Sequence, residues 1–347
     1  MAVYKIFPEK SATIYSFYTG SNSGLDEILE ISSYRASDDT AQVARSLIKF
    51  PTSEITNLFS TKIGTSSYDA YLKLYLANAS EIPLNYTVAA HTITADWNMG
   101  TGRISNYPAT TDGVSWSWRT FEGGTAWSSA GGDYNQSSNI STQSFTYPDS
   151  KDIEMKVSSA VNAWSSSNAS NYGLLLKLSG SLEFTTSSVF ELKYFSGNTH
   201  TIYPPCLEIR WDDFVWNTGS LSLVTSDSSV VTLGSNKNIY QQDSVQRFRV
   251  NVRDLYPARI FSITSVYLNN KVLPTASYWS LVDVDSEEII IDYDTTYTKL
   301  SADTSGNYFD IYMNGLEPER YYKVLIKSII NGSTVIFDEQ YYFKVIR

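Results

Sequence analysis

The chain has 347 residues, 42% of them hydrophobic and 18% charged, and carries a formal net charge of −10. That length favours two domains over one, and the acidic balance argues against nucleic acid and anionic membrane as partners, since both select basic patches. A single cysteine, Cys206, excludes an intrachain disulfide and a cysteine-built metal site, and the two histidines, His91 and His200, leave little for imidazole catalysis.

The first residues alternate through Tyr4, Ile6, Ala12 and Ile14, which predicts one or two opening strands. Asn22-Ser-Gly24 reads as a turn, and residues 25–33 as a strand. Residues 44–50 form a clean strand pattern, and Pro51 then opens a short helical turn through Ile55 and Leu58. Strands follow at 68–76 and 84–93. After an irregular stretch come a strand at 141–147, a helix over 152–164, and strands at 171–178, 189–194 and 203–211. The helix expectation rests on Met155, Val157, Val161 and Trp164 sharing a face, with Asp152 and Glu154 in the first turn.

The irregular stretch, residues 96–134, holds Trp97, Trp116, Trp118 and Trp127 among glycines and serines. It has no helical period, and a structureless segment of that length is uncommon unless its own side chains pack it or it carries a function. Trp97 and Trp127 are expected to be buried and to anchor the loop to the sheet below. Trp116 and Trp118 alternate by two, so on an extended segment they point the same way. They are the candidates for a sugar-stacking platform.

Residues 212–219 look like a domain boundary. Beyond them short strands recur at 221–225, 229–233, 246–252, 262–268, 288–293, 308–313, 321–329 and 334–345, with Asn331-Gly332 as a hairpin signal. That spacing suggests an immunoglobulin-like sandwich over 220–347. Asp283, Asp285, Glu287, Glu288, Asp292 and Asp294 crowd one region, but no calcium-loop spacing is present, and a solvated acidic surface is the preferred reading. Cys206, between Pro205 and Leu207, reads as a small buried hydrophobe. No catalytic, cofactor or metal residue is singled out.

Taken in order, the pieces of the first 212 residues resemble the DNRLRE family of β-jelly-roll modules. The pieces are Ser11-Ala-Thr-Ile-Tyr15, Leu25-Asp-Glu-Ile-Leu29, residues 44–51, Ala70-Tyr-Leu-Lys-Leu-Tyr75, Asp96-Trp97, Thr125-Ala-Trp127, Gly131-Gly-Asp133, residues 157–164, Asn171-Tyr-Gly-Leu-Leu-Leu176 and Pro204-Pro-Cys-Leu-Glu-Ile209. The resemblance implies an all-β chain with a jelly-roll over 1–212, similar to some carbohydrate-binding modules. The first ten residues contain no apolar leader core, so no secretory signal is expected, and no apolar run is long enough to span a bilayer. A module of this kind without a leader resembles those of tailed-bacteriophage virion proteins. It implies a non-enzymatic structural protein without cofactors, assembled in the host cytoplasm, whose partners are other virion proteins and copies of itself. Glycan recognition is the alternative. Adjacent Tyr321-Tyr322 and Tyr341-Tyr342 place one ring on each face of a strand, which leaves outward rings for protein contacts.

Overall fold

A period-two alternation of apolar and polar residues dominates the sequence, and the computed structural model is accordingly all-β, with 9% helix and 45% strand. It describes residues 2–121, 123–185, 189–226, 228–256 and 270–347, so the strand expected at 262–268 lies outside the described residues. The chain divides into two units, one of Lys5–Gly64 and Asp69–Ile209, the other of Met1–Tyr4, Thr65–Tyr68 and Arg210–Arg347.

The strands of the first two-thirds are β1 (Ala2–Ile6), β2 (Lys10–Tyr15), β3 (Ile28–Arg35), β4 (Ala41–Lys49), β5 (Tyr68–Leu74), β6 (Leu76–Ser80), β7 (Asn85–Thr92), β8 (Ser141–Thr146), β9 (Ile153–Lys156), β10 (Leu174–Leu178), β11 (Phe190–Phe195) and β12 (Cys206–Trp211). They form a four-stranded sheet, β1-β12-β5-β9, and an eight-stranded sheet, β6-β11-β3-β4-β10-β7-β8 with β2 paired to β4. β10 is buried on both faces, and its leucines are interrupted only by Lys177. Its Leu175 face packs with Ala12, Ile14, Leu47 and Ile93, and the loop residues Trp97, Val114 and Trp127 close over them.

Helix α1 (Thr52–Leu58) follows Pro51 and buries Ile55 and Leu58. The helix expected over 152–164 is shorter. Residues 153–156 are β9, with Ile153 and Met155 buried and Glu154 and Lys156 outside, and only α2 (Ser158–Ser165) is helical. The two-residue period of 153–156 matches pairing to β5, and that pairing overrides the weak helical face. The Ser158 hydroxyl then accepts the Ala70 N–H at 3.0 Å where the strand turns into the helix.

The second unit carries β13 (Ser229–Gly234), β14 (Ile239–Gln241), β15 (Val245–Asp254), β16 (Ser277–Asp283), β17 (Ile289–Ile291), β18 (Ser301–Asp303), β19 (Gly306–Tyr312), β20 (Tyr321–Ile330) and β21 (Ser333–Ile346). They pair as β13-β15-β19-β18 and β14-β21-β20-β16-β17. One core draws on both sheets, including Phe248, Trp279, Phe309, Tyr322 and Phe343. Trp279 stacks on Phe309 at 5.1 Å, and Phe309 on Phe248 at 5.5 Å. Such pairs contribute about 0.5–1.5 kcal/mol beyond their burial. Asn331 and Gly332, with φ of 51° and 83°, form the β20–β21 turn, as a two-residue hairpin with right-twisted strands requires.

The segment read as a boundary is tied down. Ala302 donates its N–H to Val215 O at 2.9 Å, and Asn217 donates to Ala302 O at 3.0 Å. The Lys299 ammonium lies 4.1 Å from the Phe214 ring centre. Limited proteolysis is therefore expected to spare the bonds between 214 and 217 while cutting exposed loop tips elsewhere; early cleavage there, mapped by mass spectrometry, contradicts this pairing.

Candidate functional site

Residues 93–140 run from the end of β7 to the start of β8, and their shape is set by a residue far away in sequence. Asn22 is fully buried. Its Nδ2 donates to Met99 O at 2.7 Å and to Val114 O at 2.9 Å, while its Oδ1 accepts the N–H of Gly24 at 3.1 Å and of Gly102 at 2.7 Å. The amide has no unused donor or acceptor direction to spare. The loop backbone comes so close that a Cβ on Gly113 would sit 2.5 Å from Asn22 Nδ2, so that position is confined to glycine. Ser23 adds a second tie: its hydroxyl donates to Thr13 O at 2.6 Å and accepts the Thr13 N–H at 2.9 Å, which locks the 22–24 turn to β2.

Trp97 is 1% exposed and donates its indole N–H to Tyr172 O at 2.8 Å. Trp127 is 5% exposed and donates to Ser115 O at 2.9 Å. Lys10 lies across the Trp97 ring at 5.7 Å and donates to Trp97 O. Trp116 and Trp118 are both half-buried. Residues 116 and 117 form a bend, and Ser115 N–H reaches across to Trp118 O at 2.8 Å, so the two rings do not stand on one extended segment. One side of Trp116 is already covered, because the Arg45 guanidinium stacks on it at 4.9 Å.

Arg45 heads a buried charge cluster that the sequence reading did not single out. Its Nε donates to Glu183 Oε1 at 2.6 Å, and its Nη1 donates to Gly131 O at 2.6 Å. Lys177 donates to the other oxygen of Glu183 and to Leu178 O. Tyr134 packs 5.5 Å from Arg45 on one side and 4.9 Å from His91 on the other. His91 Nδ1 lies 2.9 Å from Asn135 O; since a carbonyl only accepts, the ring must carry its proton on that nitrogen. Burial holds the His91 pKa below its ordinary value, and Lys177 and Arg45 add to that effect against the opposing pull of Asn135 O and Glu183. A signal for this cluster existed: Arg45 lies within the buried stretch of β4 and Lys177 among the leucines of β10, and buried cations need partners.

Over the loop lies an open depression of about 310 Å³ lined by Thr94, Ala95, Ser128, Ser129, Gly132, Asp133, Tyr134 and Gln136. The Asp133 carboxylate takes the N–H groups of Ser128 and Ser129 at 2.9 and 3.0 Å, so it shapes the loop. The acidic residues of the second unit are also structural in part. Burial alone would raise the Asp283 carboxyl, but the Arg320 guanidinium and the Ser286 N–H outweigh it and hold the pKa below the usual range. Among the described residues no group of three or more His, Cys, Asp and Glu side chains is placed to hold a metal. His200 is exposed, and burial pushes the Cys206 thiol up to about 11, an inert setting.

No family model matches the chain. No curated protein matches it either. Among solved structures, a DUF4785 family protein from Legionella pneumophila is 8% identical with a TM-score of 0.18, over 98% of this chain and 66% of that one. A candidate beta-galactosidase from Bacteroides fragilis is also 8% identical, with a TM-score of 0.19, over 97% of this chain and 41% of that one.

Two outcomes test the site. Asn22→Ala strands two N–H and two C=O groups and is expected to cost at least about 3 kcal/mol in denaturant unfolding, as is Trp97→Ala through its cavity. The His91 shift has a definite sign. The unfolded chain takes up a proton near pH 6.5 that the folded imidazole refuses until lower pH. Stability from this group is therefore complete above about pH 6.5 and is lost as pH falls toward the folded pKa. His91→Asn should flatten that part of the stability curve; an unchanged slope contradicts the assignment.

Proposed function

We propose that this chain is a non-enzymatic structural component of a tailed-bacteriophage particle, built as a jelly-roll over 1–212 and an immunoglobulin-like sandwich over 220–347. It works through contacts with other particle proteins and with copies of itself. The observation that carries this reading is the outward face of the β20–β21 hairpin. Tyr322, Val324 and Ile326 point into the core, while the opposite face sets out Leu325, Ile329 and Ile336 beside Lys323 and Lys327. Ile329 and Ile336 are 40% and 57% exposed. Aliphatic side chains set beside lysines on an outward sheet face suit burial against another protein. The loop of the first unit supports the same reading: its large rings are spent on fixing a surface, and the buried carboxylate beneath it, Glu183 on a separate short turn, is neutralised by two cations. The ordered resemblance of residues 4–212 to DNRLRE modules supplies the particle context.

Glycan recognition by Trp116 and Trp118 is the second reading, favoured by the half-exposure of both rings. The test is mass spectrometry of gradient-purified particles beside the host cytosol. The chain is expected in the particles at a fixed copy ratio. Its absence from them, together with turnover of a polysaccharide by the purified chain, overturns the structural assignment.

A further inference from the structure

A second depression, of about 300 Å³, lies in the second unit where β21 passes Asn236 and Asn238. Its walls include Tyr321, Gln340 and Tyr342, and the lining contains no Asp, Glu, Lys or Arg. Tyr321 and Tyr342 are 49% and 38% exposed. They stand on the same outer face, because Tyr322 and Phe343, which pair with each other, both point into the core.

The backbone around the depression is unusual. Tyr341 pairs with Val324 and Phe337 with Ile326, so residues 338–340 of β21 stand against Leu325 alone. Within this bulge Gln340 adopts φ 55°, a conformation that glutamine rarely takes and that glycine or asparagine would hold with less strain. Asn238 opposite has φ 67°. Asn236 spends its amide locally, donating to Tyr342 O at 3.0 Å and accepting the Asn238 N–H at 2.9 Å. Among the described residues, the side-chain amides of Asn238 and Gln340 and the hydroxyls of Tyr321 and Tyr342 have no protein hydrogen bond.

We infer that this depression is a binding site for a neutral saccharide, with the Tyr321 and Tyr342 rings against the C–H face of a pyranose and the Asn238 and Gln340 amides on its hydroxyls. An amide offers a donor and an acceptor side by side, which matches adjacent sugar hydroxyls. An aromatic face carries the negative part of the ring quadrupole, which suits polarised C–H bonds. The lining itself carries no formal charge, and the nearby Lys344 ammonium, 5.8 Å from the Tyr321 ring centre, is paired with Glu319, so the site offers no uncommitted counter-ion to an acidic sugar or a phosphate. Apolar walls with a few convergent polar groups are the usual make-up of a small-ligand pocket, and this volume falls at the small end of the roughly 300–1,000 Å³ range. A strained glutamine in a bulge is the kind of local cost that persists where a side chain must be aimed. The inference does not rest on the particle reading, and failure here leaves that reading standing.

The test applies the full chain to an immobilised array of neutral mono- and oligosaccharides. Ligand-observed NMR then follows with the free sugar retained best. Gln340→Gly removes the amide and gives the backbone the residue that tolerates φ 55°, so folding is kept. The native chain is expected to retain a defined set of neutral glycans. Gln340→Gly and Tyr342→Ala should each weaken binding by about tenfold or more. The site is refuted if the native chain retains no neutral glycan, or if retention survives both Gln340→Gly and Tyr342→Ala. It is equally refuted if Tyr342→Ala dissociates an oligomer in the absence of sugar, since the face is then a protein interface.

Discussion

The first unit depends on one amide. Asn22 satisfies two carbonyls and one N–H of a segment up to 92 residues away, and the N–H of Gly24 in its own turn, and it does so where water is excluded. A loop rich in glycine has the most conformational entropy to lose, so it needs strong and directional partners to hold a single shape. Backbone groups buried without partners would each cost on the order of 1–3 kcal/mol. The side chain removes that cost at four points at once, and the bare Cα of Gly113 is what lets the backbone approach closely enough. The tryptophans then add apolar area. Trp97 and Trp127 cover Leu47 and Leu175, which would otherwise be an exposed apolar patch on the sheet.

The charges under the loop follow from the same closure. Once Trp116 and Tyr134 lie over the sheet, Arg45 and Lys177 cannot reach bulk water. Glu183, carried on the short 3-10 turn Gly180–Phe184, supplies one oxygen to each cation. A buried arrangement of this kind gives little net stability, because desolvation offsets the attraction. What it fixes is position: Arg45 bonds to Gly131 O and stacks on Trp116, so it ties the far end of the loop to β4. Truncating one partner would leave an uncompensated charge, so the three residues act as a set.

The second unit solves a different problem. Its core is centred on a run of rings in contact, from Trp279 through Phe309 and Phe248 to Phe343, with aliphatic side chains of both sheets packed around it. Tyrosines adjacent in sequence are divided by the pleat. Tyr322 is inside and Tyr321 outside, and Tyr341 turns its hydroxyl to Val231 O while Tyr342 faces out. The bulge at 338–340 shifts the register between those tyrosines and the hairpin turn. One irregularity therefore separates an outer face of aliphatic side chains and lysines from a corner lined by tyrosines and amides.

Much of this was legible in the sequence. The all-β class, most strands of both halves and the Asn331-Gly332 turn follow from two-residue alternation and turn chemistry, which are local and survive without knowledge of neighbours. The long irregular stretch with its tryptophans also announced itself. The sequence could not reveal β16, whose Ser-Tyr-Trp-Ser-Leu-Val pattern lacks a clean turn before it, nor that residues 153–156 would join β5 instead of a helix. It marked Asn22 only as part of a turn, and it gave no partner for Arg45 or Lys177. Alternation tells which side of a strand is dry but not what covers it, and a polar residue's value depends on groups brought near by the fold. Local pattern therefore determined the elements, while only tertiary structure decided which side chains closed the loop, because those contacts join residues 75 to 138 positions apart.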